Sequence, residues 1–192
     1  MKIKNIAVFA SGAGSNAEVL IRHFLNHPKA KVRVVVCNNA NAGVLRIAEN
    51  YGVEVLLGSN EWFAERGKDL VKELQSREID LIVLAGFLRK IPISLIQAFP
   101  QRIINIHPAL LPKFGGKGMF GSHVHKAVLE AGEKETGISV HYVTEHYDEG
   151  GIVFQTSFPI ESGFVLSDIE KRIHQLEHKH YPLVVEQILE QC

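Results

Sequence analysis

Cysteine is nearly absent from this sequence: Cys37 lies inside an apolar run and Cys192 is the last residue. Two thiols so placed supply no disulfide framework, and Cys37 is expected to be a buried thiol. A surplus of one charge is missing as well. The 21 Lys and Arg residues balance 21 Asp and Glu, so nothing electrostatic draws the chain to nucleic acid or to an anionic membrane. Long apolar runs are also lacking, since the longest are short segments such as 6–10 and 81–85, against the roughly 20 residues a membrane helix needs. The opening stretch MKIKNIAVFA carries too brief an apolar run for a signal peptide. These absences leave a cytoplasmic protein as the expectation, a monomer or homodimer with small-molecule partners, no nucleic acid and no membrane.

What is present is an ordinary globular composition, 46% hydrophobic and 22% charged over 192 residues, enough to bury one continuous core. No repeat, low-complexity tract or linker divides the chain, so one domain over 1–192 is expected. Apolar β-branched runs alternate with amphipathic stretches through 3–10, 17–26, 32–37, 43–50 and 53–57, which reads as βαβαβ. A helical pattern covers 61–76, and the continuous apolar runs at 81–85 and 103–106 have the character of strands buried on both faces. Beyond residue 131 the pattern changes: 138–143 alternates and 152–160 follows after a polar connection, as antiparallel strands do. Ser167 and Glu170 have the spacing of a capping box ahead of a C-terminal helix, with a kink expected at Pro182. The fold class is therefore α/β, an open and mostly parallel sheet with helices on both faces and antiparallel strands toward the C-terminus.

Residues 11–16 read SGAGSN between the first strand and the first helix. Glycines there let the backbone turn tightly and present amide donors at a helix N-terminus, an arrangement suited to a simple phosphate. The third glycine of a dinucleotide fingerprint is missing, and no GK[ST] follows as a nucleotide P-loop requires. An ordinary βα turn capped by Asn16 is the competing reading.

The run IINIHP ends a strand with Asn105 and His107, two residues apart and so on one face. Carboxyl ends of strands are where open α/β sheets bind ligands, and both side chains can donate to a developing oxyanion. Some forty residues on, HYDEGG sets Asp148 in a glycine turn, where its carboxylate is expected to hold His107 protonated. Ordinary turn chemistry accounts equally for Asp148 taken alone. A metal is not expected: His174 and His178 are four apart, with His180, His123 and His125 elsewhere, but no HExxH arrangement occurs.

Taken together, SGAGSN, LAGFLRKI, NIHPALLPKF and HYDEGGIV resemble, in order and spacing, the glycinamide ribonucleotide formyltransferases, a branch of the folate-dependent formyltransferase family. The resemblance covers nearly the whole chain. It implies a Rossmann-like formyltransferase fold and, in purine synthesis, formyl transfer from the co-substrate 10-formyltetrahydrofolate to the ribonucleotide amine. No metal is implied. By position it implies Asn105, His107 and Asp148 as the catalytic trio, and Gly14, Ser15 and Asn16 as the ribonucleotide phosphate loop. Glu177 falls near the substrate amine. Leu88, Arg89, Lys90 and Ile91 match the folate stretch, and Asn105 is implied as a folate contact as well. Lys90 stands where an apolar residue is common, so its side chain is expected to point away. A family arginine that contacts folate falls near Phe63 and Arg66, and neither takes the role by register.

Relatives that formylate methionyl-tRNA carry an added C-terminal domain, and formyltetrahydrofolate hydrolases carry an N-terminal one; neither extension is expected here. The hydrolase, and a phosphate-binding regulator without catalysis, are the alternatives. The segment KFGGKGMFGSHVH is longer and richer in glycine than the family's compact loop. Residues 113–123 are expected to be mobile when empty and to act as a lid.

Overall fold

The computed structural model describes residues 2–191, so Cys192 lies outside the described residues. Five strands, β1 (Lys4–Ala10), β2 (Ala30–Cys37), β3 (Glu54–Leu57), β4 (Ile79–Leu84) and β5 (Ile103–His107), pair in parallel. Strands β6 (Glu135–Tyr142) and β7 (Ile152–Pro159) join them antiparallel, giving the order β3-β2-β1-β4-β5-β6-β7. The mostly parallel sheet with an antiparallel C-terminal edge is the architecture the sequence predicts.

Side-chain alternation splits the interior into two cores. Ile6 and Val8 of β1, with Val35, Val83 and Ile104, pack against α1 (Ser15–Phe24), α2 (Gly43–Asn50) and α7 (Leu166–Gln191). Ala7 and Phe9, with Val34, Val36 and Ile82, pack against α3 (Asn60–Glu65), α4 (Gly67–Ser76) and α5 (Ile93–Ala98). Both faces are covered, which is why these strands read as unbroken apolar runs. Cys37 is buried in the first core as expected, and burial pushes its thiol pKa up.

Three local differences have physical causes. The helix expected over 61–76 is two helices, broken where Arg66 leaves helical geometry at φ −113° and ψ 34°. Gly67 then starts α4 pressed against α5's approach; a β-carbon there would stand 2.6 Å from Ser94 Oγ. Second, α7 begins at Leu166, so Ser167 lies inside the helix instead of capping it. The Asp168 carboxylate accepts the Val165 N–H at 2.9 Å, the reach-back half of a capping box set two residues earlier. The helix continues through Pro182. Third, α5 and α6 (Ser122–Glu130) were not expected; α5 is too short to show a helical period and α6 opens in a glycine-rich loop.

In β6 the polar members of the alternation are buried too. Ser139 is 0% exposed: its Oγ donates to Ala109 O at 2.6 Å and accepts from Leu111 N–H at 3.0 Å and Gln155 Nε2 at 2.7 Å. This hydroxyl therefore holds the segment that follows His107 against the sheet.

Candidate active site

The chain runs outward from β1 to β3, then returns to place β4 on the other side of β1. That reversal is a topological switch point, where the loops after β1 and β4 part and leave a crevice. A cavity of about 540 Å³ opens there, within the range of small-molecule sites. Gly14, Ser15 and Asn16 line one side, and Leu88, Arg89, Lys90 and Ile91 line another. Asn105, His107, Asp148 and Glu177 also face it. The structure thus gathers every sequence-predicted site residue around one space.

Gly14 is the N-cap of α1 at φ 86°, a left-handed value that glycine adopts without strain. Asn16 is not the cap: it lies within α1 and its Nδ2 donates to Glu177 Oε2 at 2.9 Å. The same carboxylate oxygen accepts from His174 Nδ1 at 3.0 Å, and this bond holds the His174 pKa above its ordinary value. Glu177 is brought here by α7, which Tyr181 anchors by donating its hydroxyl to Leu84 O at 2.8 Å.

Asn105 and His107 project from β5 on one face, and Asp148 reaches them from a turn with φ 57°. Gly150 makes that turn possible, since a β-carbon there would overlap the Tyr142 carbonyl. His107 Nδ1 lies 3.7 Å from Asp148 Oδ2, an ion-pair distance too long for a hydrogen bond. Its Nε2 donates to Phe114 O at 2.8 Å, and Gly116 N–H donates to Asp148 Oδ2 at 2.8 Å. Both groups are therefore tied to the glycine-rich loop.

The expectation that Asp148 holds His107 protonated is corrected by the direction of its pKa. Burial pulls its pKa below the ordinary value and outweighs the opposing pull of Asp148 and the Phe114 carbonyl. The residue is 3% exposed, and losing water costs the charged imidazolium more than a carboxylate 3.7 Å away returns. Asp148 behaves oppositely: burial pushes its pKa up, but His141, His107 and the Gly116 N–H together hold it below the ordinary value.

His141 was not singled out by sequence reasoning. It sits opposite Asn105 in the β5–β6 ladder, with Nε2 3.2 Å from Asn105 Nδ2 and 3.4 Å from Asp148 Oδ1. Its one signal in the sequence was its place in the alternation of 138–143. Lys90 also corrects an expectation: it does not point away, but sets its Nζ 5.6 Å from the Tyr147 ring centroid beside the cavity. That distance suits a cation–π contact. Phe63 is buried against Phe87 and Arg66 pairs with Asp69 at 2.6 Å; neither lines the cavity. Among the described residues no group of three or more His, Cys, Asp or Glu is placed to hold a metal ion, and no helix is long and apolar enough to cross a membrane.

Burial also depresses the pKa values of His125, His178 and His180. A histidine depressed in the folded state costs stability as pH falls below its unfolded value of about 6.5, because the unfolded chain takes up the proton first. His174, raised by Glu177, acts with the opposite sign: its contribution is full below that value and lost as pH rises through its folded pKa. Thermal unfolding followed from about pH 7 to about pH 5 should show His125→Leu losing less stability on acidification than the parent. Parallel curves would show that His125 takes up its proton equally well folded and unfolded.

Residues 4–185 match the family model described as formyl transferase. The chain belongs to the formyl transferase family. Within it, this chain is similar to the phosphoribosylglycinamide formyltransferase of Bacillus subtilis (strain 168), 38% identical over 97% of this chain and 95% of that protein. It is 39% identical to the chloroplastic phosphoribosylglycinamide formyltransferase of Vigna unguiculata over 98% of its own length, but spans 62% of that protein's. The crystal structure of glycinamide ribonucleotide transformylase 1 from Symbiobacterium toebii superposes with a TM-score of 0.90 at 33% identity, covering 98% of this chain and 89% of that one.

Proposed function

We propose that this chain transfers the formyl group of 10-formyltetrahydrofolate to the amine of glycinamide ribonucleotide, a step of purine synthesis. One observation carries the reading: the glycine loop at 14–16, the stretch at 88–91 and Asn105, His107 and Asp148 all open onto the same cavity. The ribonucleotide phosphate lies at the amides that open α1, and the folate lies along Leu88 to Ile91. The amine nitrogen attacks the formyl carbon, and negative charge builds on the formyl oxygen. Asn105 Nδ2 and His107 Nε2 donate to that oxygen. The bond from the formyl carbon to the folate nitrogen then breaks as a proton passes, through a water, from the attacking amine to that nitrogen.

His107 Nε2 donates to Phe114 O, so the loop must release it before the formyl oxygen takes its place. A neutral imidazole can donate its Nε2–H to the growing oxyanion, and the Asp148 carboxylate favours the positive charge that develops on the ring as it does so. Residues 113–123 then act as a lid that keeps competing water from the formyl group. Hydrogen exchange should show these amides protected by a folate analogue plus ribonucleotide and less so by neither; equal exchange in both states removes the lid.

Mixing protein, 10-formyltetrahydrofolate and ribonucleotide should release tetrahydrofolate only when the ribonucleotide is present. Folate consumption without it would indicate a hydrolase, and binding without turnover a regulator. Gly14→Val should weaken ribonucleotide binding far more than folate binding. A side chain there is strained at φ 86° and its β-carbon would stand 2.7 Å from Val44 Cβ, so the loop must shift away from α2. Equal loss of both ligands, read by titration calorimetry, would instead mean a general loss of folding.

A further inference from the structure

Three loops at the carboxyl ends of β1, β2 and β4 meet on one buried serine. Ser11 follows β1 directly, and its N–H donates to Gly86 O at 3.0 Å. Its Oγ accepts the Leu88 N–H at 2.9 Å and donates to Asn38 Oδ1 at 2.5 Å. Asn39 Nδ2 donates to its carbonyl at 3.2 Å. The line continues from Asn38 Nδ2 to Asn60 Oδ1 at 2.8 Å, at the start of α3. Every polar group of Ser11 is thus engaged, and two of its bonds fix the backbone that leads into residues 88–91.

On the other side the glycine loop rests on α2. Val44 N–H donates to Gly12 O at 3.2 Å, and a β-carbon on Gly43 would stand 2.9 Å from Ala13 O. The loop cannot yield toward α2, so displacement at residues 12–16 is carried back to Ser11. From there the Gly86 and Leu88 bonds pass it to the loop after β4, whose Gly86 turns at φ 77°.

We propose that Ser11 is a positioning residue that couples the two substrate subsites, so that filling the glycine loop at 14–16 sets the geometry of 88–91 for the second ligand, and the reverse. This rests on reading those segments as the ribonucleotide and folate sides. Coupling of this kind is reciprocal: each ligand must tighten the other by the same factor.

Tetrahydrofolate, which has no formyl group to transfer, and glycinamide ribonucleotide are titrated calorimetrically, each alone and each in the presence of the other. The parent protein should show each ligand tightening the other by about fivefold or more, equally in both directions. In Ser11→Ala each ligand should still bind alone while that factor falls toward one. Asn38→Ala, which removes the far anchor of the hydroxyl, should also lower the factor, and it supplies the reading if Ser11→Ala does not fold. A parent factor of one, or variants that keep the parent factor, overturns the inference. Ribonucleotide-dependent folate release by the parent keeps the two ideas apart. Without release the functional reading itself fails, whereas release with a factor of one removes only the role of Ser11.

Discussion

His107→Ala should lower kcat/KM for formyl transfer by about 10² to 10⁴, the range for losing a positioned proton donor. Ribonucleotide binding should stay close to that of the parent, because the glycine loop proposed to hold its phosphate opens α1 and shares no hydrogen bond with His107. The substitution also frees Phe114 O, so the glycine-rich loop loses one of its ties to His107 and Asp148. Two readouts separate these effects: loss confined to turnover at saturating substrates assigns His107 to the chemistry, whereas a large rise in KM alone assigns it to holding the loop. Near-parental turnover would remove His107 from the mechanism.

Asp148→Asn should cost about 10² or more in kcat/KM, through charge and not shape. An amide oxygen at that position can still accept the Gly116 N–H now received at 2.8 Å, so the turn and its contact with the glycine-rich loop survive. What is lost is the negative charge 3.7 Å from His107 Nδ1 and 3.4 Å from His141 Nε2. Burial already depresses the His107 pKa, and Asp148 is the largest influence opposing it. Removing that carboxylate must therefore move the His107 ionisation further down, and the limb of the pH profile that reports it should move to lower pH. Imidazole resonances followed by NMR across the acid range read this directly. An unmoved His107 titration would mean that the 3.7 Å separation carries no useful interaction.

Much of this was legible because local chemistry and the final fold agree. Residues 43–50 form α2 within the bounds their amphipathic pattern gives, and the apolar runs at β1, β4 and β5 became strands covered on both faces. Asn105 and His107 share a face because strand geometry alternates, a rule that operates within one segment. The helix over 61–76 was misjudged because its period carries across Arg66, while the break there answers to contact with Pro92 and Ser94. The capping box at Ser167 was displaced because the helix starts two residues earlier, where the Asp168 carboxylate accepts the Val165 N–H. His141 was passed over because a polar residue in an alternating strand is normally the exposed member, and here α-helical and loop segments bury both faces of β6.

The sequence by itself determined the class of fold, the glycine turn after β1 and the pairing of Asn105 with His107, since each depends on neighbours within a few residues. Whether His107 is charged was decided only by the tertiary structure. Its protonation depends on the balance between lost hydration and a carboxylate forty-one positions away in the chain, and that balance is set by a distance of 3.7 Å and near-complete burial. The direction in which Lys90 points was decided in the same way, by where Tyr147 lies. So was the meeting of β1, β2 and β4 loops on Ser11. Electrostatic energy and hydrogen bonding act through space, and sequence separation gives no measure of the distances that set them.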